Sequence, residues 1–384
     1  MAKSPFSASS RLEQIADISL TAVDTTYMLP TNGGLIPNDR FMYALFLTFE
    51  GRITNASSNN PTGTQADAPF SLIELITISG YHRVRAANEP FINVRGPDLY
   101  NLIRIMSGQI PYVVPNSAGA PTFTVSLALT ANATNDIRFA LMVPFTPMRI
   151  PLNTQTGWLL DAPNYDQLKL QVSFSDDNSV FTYGTRGAPT FTAFGSASGS
   201  PRIRVAGQFA LLNQSALGFI PARTWRYFQE NTSGDITGSG TITGSRQYNI
   251  PRGNKVRGIL LKTGVKGTTV TAGFNAYNTL SDTIFTNIKV QRGLNKTIRF
   301  YADYYHIQQE TAHSYGVFPR SGYALIDFAQ RGRLEEALDT VGMVAGPSGD
   351  TDLYVQADVA GASNQGALFL IEELRGIPRK LSAG

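Results

Sequence analysis

Cysteine is absent from the 384 residues. That removes disulfides, thiolate metal sites and cysteine nucleophiles together, and leaves packing to hold the fold. Charge is scarce: 16% of the residues are Asp, Glu, Lys or Arg, where about a quarter is usual in soluble proteins. A chain so short of charge is expected to hide surface against copies of itself. Histidine stands only at His82, His306 and His313, with no HExxH pairing, so no catalytic zinc is expected. No stretch reaches the roughly 18 uninterrupted apolar residues that would suggest a membrane-spanning helix. The opening run MAKSPFSASSRLEQIADISL has no apolar h-region, so no signal peptide is expected. A net charge of +4, spread over 32 basic and 28 acidic residues, is too weak and dispersed for a dedicated nucleic-acid-binding protein.

What is present points to strands. Gly 35, Pro 21, Phe 22 and Tyr 16 describe aromatic pleated segments broken by many turns. The length allows two domains, each with a core of its own. Residues 1–30 read as an N-terminal arm. Within it Ser10 and Glu13 have capping-box spacing, and Leu12, Ile15, Ala16 and Leu20 recur at helical intervals, predicting a short amphipathic helix. Such a helix is marginal alone and needs a surface to lie on. Deleting residues 1–20 is therefore expected to leave the rest folded.

From about residue 38 the period becomes two. FMYALFLTFE (41–50), SLIELITISG (71–80), FTVSLALT (123–130), DIRFALMVPF (136–145), QLKLQVSFS (167–175) and RIRVAGQFALL (202–212) read as strands. Between them Pro97 suits a first helical position, Leu99, Leu102, Ile103 and Met106 make one apolar face, and Gly108 ends the run. Strands and crossover helices do not alternate regularly, which argues against a Rossmann or barrel enzyme.

Past residue 215 the order starts again. NKVRGILLKTGVKG (254–267) answers NDRFMYALFLTFEG (38–51), and TIFTNIKVQRG (283–293) answers SLIELITISG. ADYYHIQQETA (302–312) answers the helix DLYNLIRIMSG, and SGYALIDFA (321–329) answers DIRFALMVPF. DTDLYVQADV (350–359) and GALFLIEEL (366–374) answer YDQLKLQVSF and RIRVAGQF. On this alignment Leu141 corresponds to Leu325 and Leu168 to Leu353. A further helix is predicted at Arg333–Leu338. The expected fold is all-β: a double jelly roll, two eight-stranded β-sandwich barrels in tandem with short flanking helices. The rolls are placed at 31–215 and 216–384, the second with a short C-terminal tail, and joined through LLNQSALGFIPART (211–224).

The strand DQLKLQVSFSDDNSVF (166–181), ending in an acidic/Asn turn, and the finish GALFLIEELRGIPRKLSAG (366–384) extend the pattern over nearly the whole chain. It resembles the double jelly-roll major capsid proteins of membrane-containing icosahedral bacteriophages, the tectivirus type. The resemblance implies pseudo-hexagonal homotrimers, assembled into an icosahedral shell around a membrane vesicle that encloses double-stranded DNA. Implied partners are the chain itself, neighbouring trimers, penton or minor capsid proteins, and the internal viral membrane at the termini. No catalytic residue, metal, cofactor or sequence-specific nucleic-acid contact is implied. The chain would be made in the host cytoplasm and reside in the virion.

Candidate assembly contacts are Leu12, Ile15 and Leu20 of the arm, Trp225 and Tyr227 as a wedge beside the junction, and Arg375, Arg379 and Lys380 near the end. The alternative is a carbohydrate- or receptor-binding viral spike of β-sandwich architecture. Enzyme signatures are missing: there is no G-x-S-x-G and no phosphate-binding loop. Of the acidic pairs, Glu372-Glu373 would face opposite ways on a strand, Asp176-Asp177 reads as part of a turn and Glu335-Glu336 as a helix surface.

Overall fold

The structure, a computed structural model, describes residues 6–23, 25–31, 35–54, 61–64, 68–83, 87–107, 113–115, 134–146, 159–175, 181–183, 190–193, 199–212, 223–230, 242–249, 254–266, 277–292, 296–329, 337–340, 353–361 and 365–376. The chain divides into two compact units. One comprises Met1–Tyr100, Ile110–Arg226 and Arg375–Gly384; the other comprises Asn101–Gln109 and Tyr227–Leu374.

The first roll is built from β1 (Phe6–Ser19), β2 (Thr25–Leu29), β3 (Met42–Thr54), β4 (Ile73–His82), β5 (Ala87–Val94), β6 (Thr134–Pro144), β7 (Tyr165–Phe174) and β8 (Arg202–Leu212). Their strand order is β1–β8–β3–β6 on one side and β2–β7–β4–β5 on the other. Alternation explains why these segments are strands. Leu45, Leu47 and Phe49 of β3 are buried at every second position, as are Ile137, Phe139, Leu141 and Val143 of β6. Opposite them lie Ile76 and Ile78 of β4 and Leu168, Leu170, Val172 and Phe174 of β7, also buried. Phe49 stacks on Phe139 with centroids 5.0 Å apart and reaches Phe174 at 6.1 Å, joining the two sheets through one aromatic row.

Residues 6–19 are a strand, not the helix expected of the arm. β1 runs antiparallel to β8, with Asp17 opposite Arg204 and Ile18 opposite Ile203. Ala16, Ile18 and Leu20 point inward at period two and are buried. A register shift between Gln14 and Ala16 inserts a bulge, which breaks the alternation upstream and leaves Leu12, Ile15 and Ala16 spaced as though on a helix. Pairing with β8 satisfies the backbone along the segment, which a short isolated helix cannot do as well. β1 and β2 are thus the opening strands of the first roll, and residues 6–29 do not form a separate arm.

α1 (Gly96–Ser107) follows β5. Gly96 is required where it stands, since a Cβ there would lie 2.6 Å from the carbonyl oxygens of Phe70 and Ile73. The predicted apolar face is buried, and so are Tyr100 and Ile105 on other sides.

The second roll repeats the first. β9 (Arg223–Glu230), β10 (Ile242–Asn249), β11 (Lys255–Lys266), β12 (Phe285–Arg292), β13 (Lys296–Asp303), β14 (Tyr323–Asp327), β15 (Leu353–Gly361) and β16 (Gln365–Gly376) follow in chain order. They take the order β9–β16–β11–β14 and β10–β15–β12–β13. Each strand of the first roll therefore has its counterpart eight places on, which is the double jelly roll expected. α2 (Tyr304–Tyr315) follows β13 as α1 follows β5. Asp303 caps it by accepting from the His306 N–H at 2.8 Å, and Gly316 ends it at a φ of 71°. Val256, Ile259 and Leu261 of β11 pack with Ile288 and Val290 of β12, Tyr304 and Ile307 of α2, and Phe369 and Ile371 of β16.

Leu141 and Leu325 are both buried, but Ala324 and Ile326, not Leu325, pack in the core of the second roll, so Leu325 faces the other side of β14 and the expected correspondence with Leu141 is off by one residue. Leu168 is buried, whereas the side chain of Leu353 lies outside the described ones. Of the predicted helix 333–338, residues 333–336 lie outside the described residues, and Leu338 belongs to a two-residue strand paired with Val256 of β11. The predicted strand 123–130 also lies outside them.

Candidate assembly surface

One face of the first roll carries a ladder of charges. Asp17 of β1, Arg202 and Arg204 of β8, Glu50 of β3 and Arg138 of β6 occupy four adjacent strands, with Arg202 opposite Glu50 and Glu50 opposite Arg138. Glu50 neighbours the core residue Phe49 and so faces away from the core. Its carboxylate lies 2.9 Å from Arg138, 3.1 Å from Arg202 and 3.2 Å from Arg204. Asp17 meets Arg202 at 3.3 Å. One rung along, Arg52 of β3 donates twice to Asp136 of β6, at 2.6 and 3.0 Å. That pairing raises the Arg52 guanidinium above its ordinary pKa. The Glu50 side chain is 3% exposed beneath arginines near 40%, so the face shows solvent guanidinium while its central acid is hidden. Such an array suits carboxylate-bearing partners geometrically. It also ties four strands of one sheet together.

The second roll buries its charges instead. Arg257 and Glu372 are both fully buried, 3.4 Å apart. Arg257 also donates to the Tyr315 hydroxyl at 3.4 Å, and that hydroxyl donates to Asp327. Burial, the largest cause, drives the Tyr315 pKa upward. Asn254 donates to Glu373 at 3.1 Å. Glu372 and Glu373 thus serve opposite sides of β16, as neighbours on a strand must.

Among the described residues, no group of three or more His, Cys, Asp or Glu side chains is placed to hold a metal ion. His306 binds Asp303 at 2.5 Å within the cap of α2, and His313 is exposed nearer the other end of that helix.

Of the contact residues expected from sequence, the side chains of Leu12, Ile15 and Leu20 are described. Leu12 is exposed, Ile15 half-buried and Leu20 buried; Leu20 belongs to the core, and its backbone N–H donates to Pro201 at 2.7 Å. Trp225 and Tyr227 are in β9 and Arg375 is in β16, with side chains outside the described ones. Arg379 and Lys380 lie outside the described residues. Sequence reading missed the ladder, though its signal was present: Arg202 and Arg204 alternate with Ile203 and Val205, and Arg138 stands between Ile137 and Phe139. Partner strands could not be read from one sequence.

No protein-family model and no curated protein matches the chain. Solved structures do. The crystal structure of the STIV MCP matches with a TM-score of 0.63 at 15% identity, over 98% of this chain and 100% of that one. The major capsid protein P2 from bacteriophage PM2 matches with a TM-score of 0.55 at 10% identity, over 97% and 99% of the two chains. PBCV-1 VP54 gives 0.57 at 11% identity, over 96% and 93%. At such identities the likeness establishes the fold: the chain is a double jelly roll, shared end to end with these proteins. The narrower resemblance to the tectivirus type is corrected to a broader one, because similar structures include an atomic structure of Sulfolobus turreted icosahedral virus as well as a bacteriophage protein.

Proposed function

We propose that the chain is a major capsid protein, a non-enzymatic building block of an icosahedral virion shell. The observation that carries this reading is the end-to-end match: both rolls, in one order, align over 97% of this chain and 99% of a major capsid protein with no large remainder on either side. The duplication favours homotrimers, since three chains of two rolls present six similar faces around one axis, a closed ring of pseudo-hexagonal outline. The shell is proposed to surround a membrane vesicle enclosing double-stranded DNA. Neighbouring trimers and penton or minor capsid proteins are the partners, and Arg375, Arg379 and Lys380 are candidates for contact with anionic head-groups, each worth about 1 kcal/mol near such a surface. Synthesis is placed in the host cytoplasm and residence in the virion.

Electron microscopy of the purified protein and of particles containing it tests the reading. Pseudo-hexagonal trimers and icosahedral shells are expected. A protein that stays monomeric at every concentration and is absent from purified shells overturns it.

A further inference from the structure

Arg202 and Arg204 of β8 alternate with the buried Ile203 and Val205, so both project from the outer face of the sheet β1–β8–β3–β6. Two guanidiniums so placed would ordinarily swing apart, because like charges repel. Here they are held together from both sides. Arg202 Nε and Arg204 Nη2 reach the same Glu50 oxygen, Oε2, at 3.1 and 3.2 Å. Arg202 Nη1 and Arg204 Nε reach the same Asp17 oxygen, Oδ2, at 3.3 and 4.0 Å. Arg138 takes the other Glu50 oxygen, Oε1, at 2.9 Å and fixes the buried carboxylate from the far side. Neither Glu50 nor Asp17 engages Arg202 Nη2 or Arg204 Nη1, and both arginines stay near 40% exposed. Ser19 of β1 stands opposite Arg202 and Thr48 of β3 opposite Arg204 on the same face, the first exposed and the second half-buried.

We propose that Arg202 and Arg204, with the hydroxyls of Ser19 and Thr48, form a binding site for a small tetrahedral oxyanion of the phosphate class. Two planar forks side by side present more donors than the two oxygens of a carboxylate match, whereas a phosphate offers its further oxygens to both. The forks are fixed before the ligand arrives, so binding costs little side-chain ordering. A divalent anion also relieves the repulsion between guanidiniums that share their carboxylates. The surrounding charges set the size of the ligand. Arg138, Arg202 and Arg204 against Asp17 and Glu50 leave a single positive charge, too little to hold a nucleic acid or an anionic membrane. Asp17, 38% exposed, borders the site and opposes the anion without covering it.

Titration calorimetry of the full chain with inorganic phosphate, at an ionic strength held constant with sodium chloride, tests the site. Saturable binding of one phosphate per chain is expected, displaced by sulfate and not by chloride. Arg204→Lys keeps the charge beside Glu50 but loses the fork, and is expected to bind roughly tenfold more weakly. Asp17→Asn removes the opposing carboxylate and is expected to bind more tightly. A face whose arginines only tie strands together would lose stability in that variant and gain no affinity. The thermal transition of each variant without phosphate shows that it is folded. In the unsubstituted chain phosphate is expected to raise that transition above its value in chloride of equal ionic strength. Absence of saturable phosphate binding by the unsubstituted chain overturns the proposal, as does an affinity that Arg204→Lys leaves unchanged.

Discussion

Arg257 and Glu372 are both removed from water and lie 3.4 Å apart. Each is tolerated because the other is there, since a buried charge without a partner is far costlier than an apolar side chain of similar size. Arg257→Met is therefore expected to lower the unfolding free energy by about 3–5 kcal/mol, and Arg257→Met with Glu372→Leu to regain most of it. Urea denaturation of both variants checks this, and a double variant no more stable than the single one would contradict it. Two carboxylates at α2 respond to pH in opposite directions. Asp303 is held below its ordinary pKa, first by the His306 backbone N–H. Its stabilising contribution is present above the unfolded carboxylate range and is lost as pH falls through the depressed value. Glu310, although exposed at the surface, is raised, first by partial desolvation of its carboxylate and then by Asp327. Its charge is disfavoured in the fold, so stability falls as pH rises through the carboxylate range towards the raised value. Glu310→Gln should thus raise the melting temperature at neutral pH and not in acid, whereas Asp303→Ala should lower it at neutral pH with a difference that shrinks in acid. Melting curves across about pH 3 to 7 separate the two.

At the scale of elements, β1 changes what a truncation does. Removing residues 1–20 strips a strand from the sheet and uncovers Ile203 and Val205 of β8, which are fully buried. The first roll is expected to unfold, rather than to survive as it would if the segment were an arm lying on a finished domain. Point variants give the finer test. Ile18→Ala should cost about 2–5 kcal/mol as a core deletion, while Leu12→Ser, 64% exposed, should change stability by less than about 0.5 kcal/mol. Slow amide exchange through residues 11–19 would mark the strand directly. The charge ladder makes a parallel case, because Glu50 lies beneath three arginines. Glu50→Gln leaves them facing one another and should destabilise the first roll by roughly 1–3 kcal/mol, an effect read by the same denaturation experiment.

For the whole molecule, two units imply two cores. Ile18 belongs to the first unit and Ile288 to the second. The costs of Ile18→Ala and Ile288→Ala should add within about 0.3–0.5 kcal/mol if the cores are independent, and a larger departure would show that they respond as one. The duplication behind this was legible in the chain, because strand periodicity and element order are local properties: NKVRGILLKTGVKG and NDRFMYALFLTFEG carry the same alternation wherever their neighbours lie. The core residues Leu45, Leu47, Phe49, Ile137 and Phe139 could be read the same way, and α1 from Pro97 and the spacing of Leu99, Leu102, Ile103 and Met106. β1 could not, since a bulge at Gln14–Ala16 shifts the phase of alternation and only pairing with β8, nearly two hundred residues away in the chain, shows where the phase resumes. Burial along the N-terminal strand was less legible still. Leu12 and Leu20 look alike in sequence, yet one is exposed and the other packed in the core. The sequence by itself determined an all-β chain of two like halves without thiol chemistry, because composition and period are carried residue by residue. Only the tertiary structure decided that Glu50 sits beneath three arginines and that Arg257 is buried with Glu372, because burial depends on strands and helices distant in the chain.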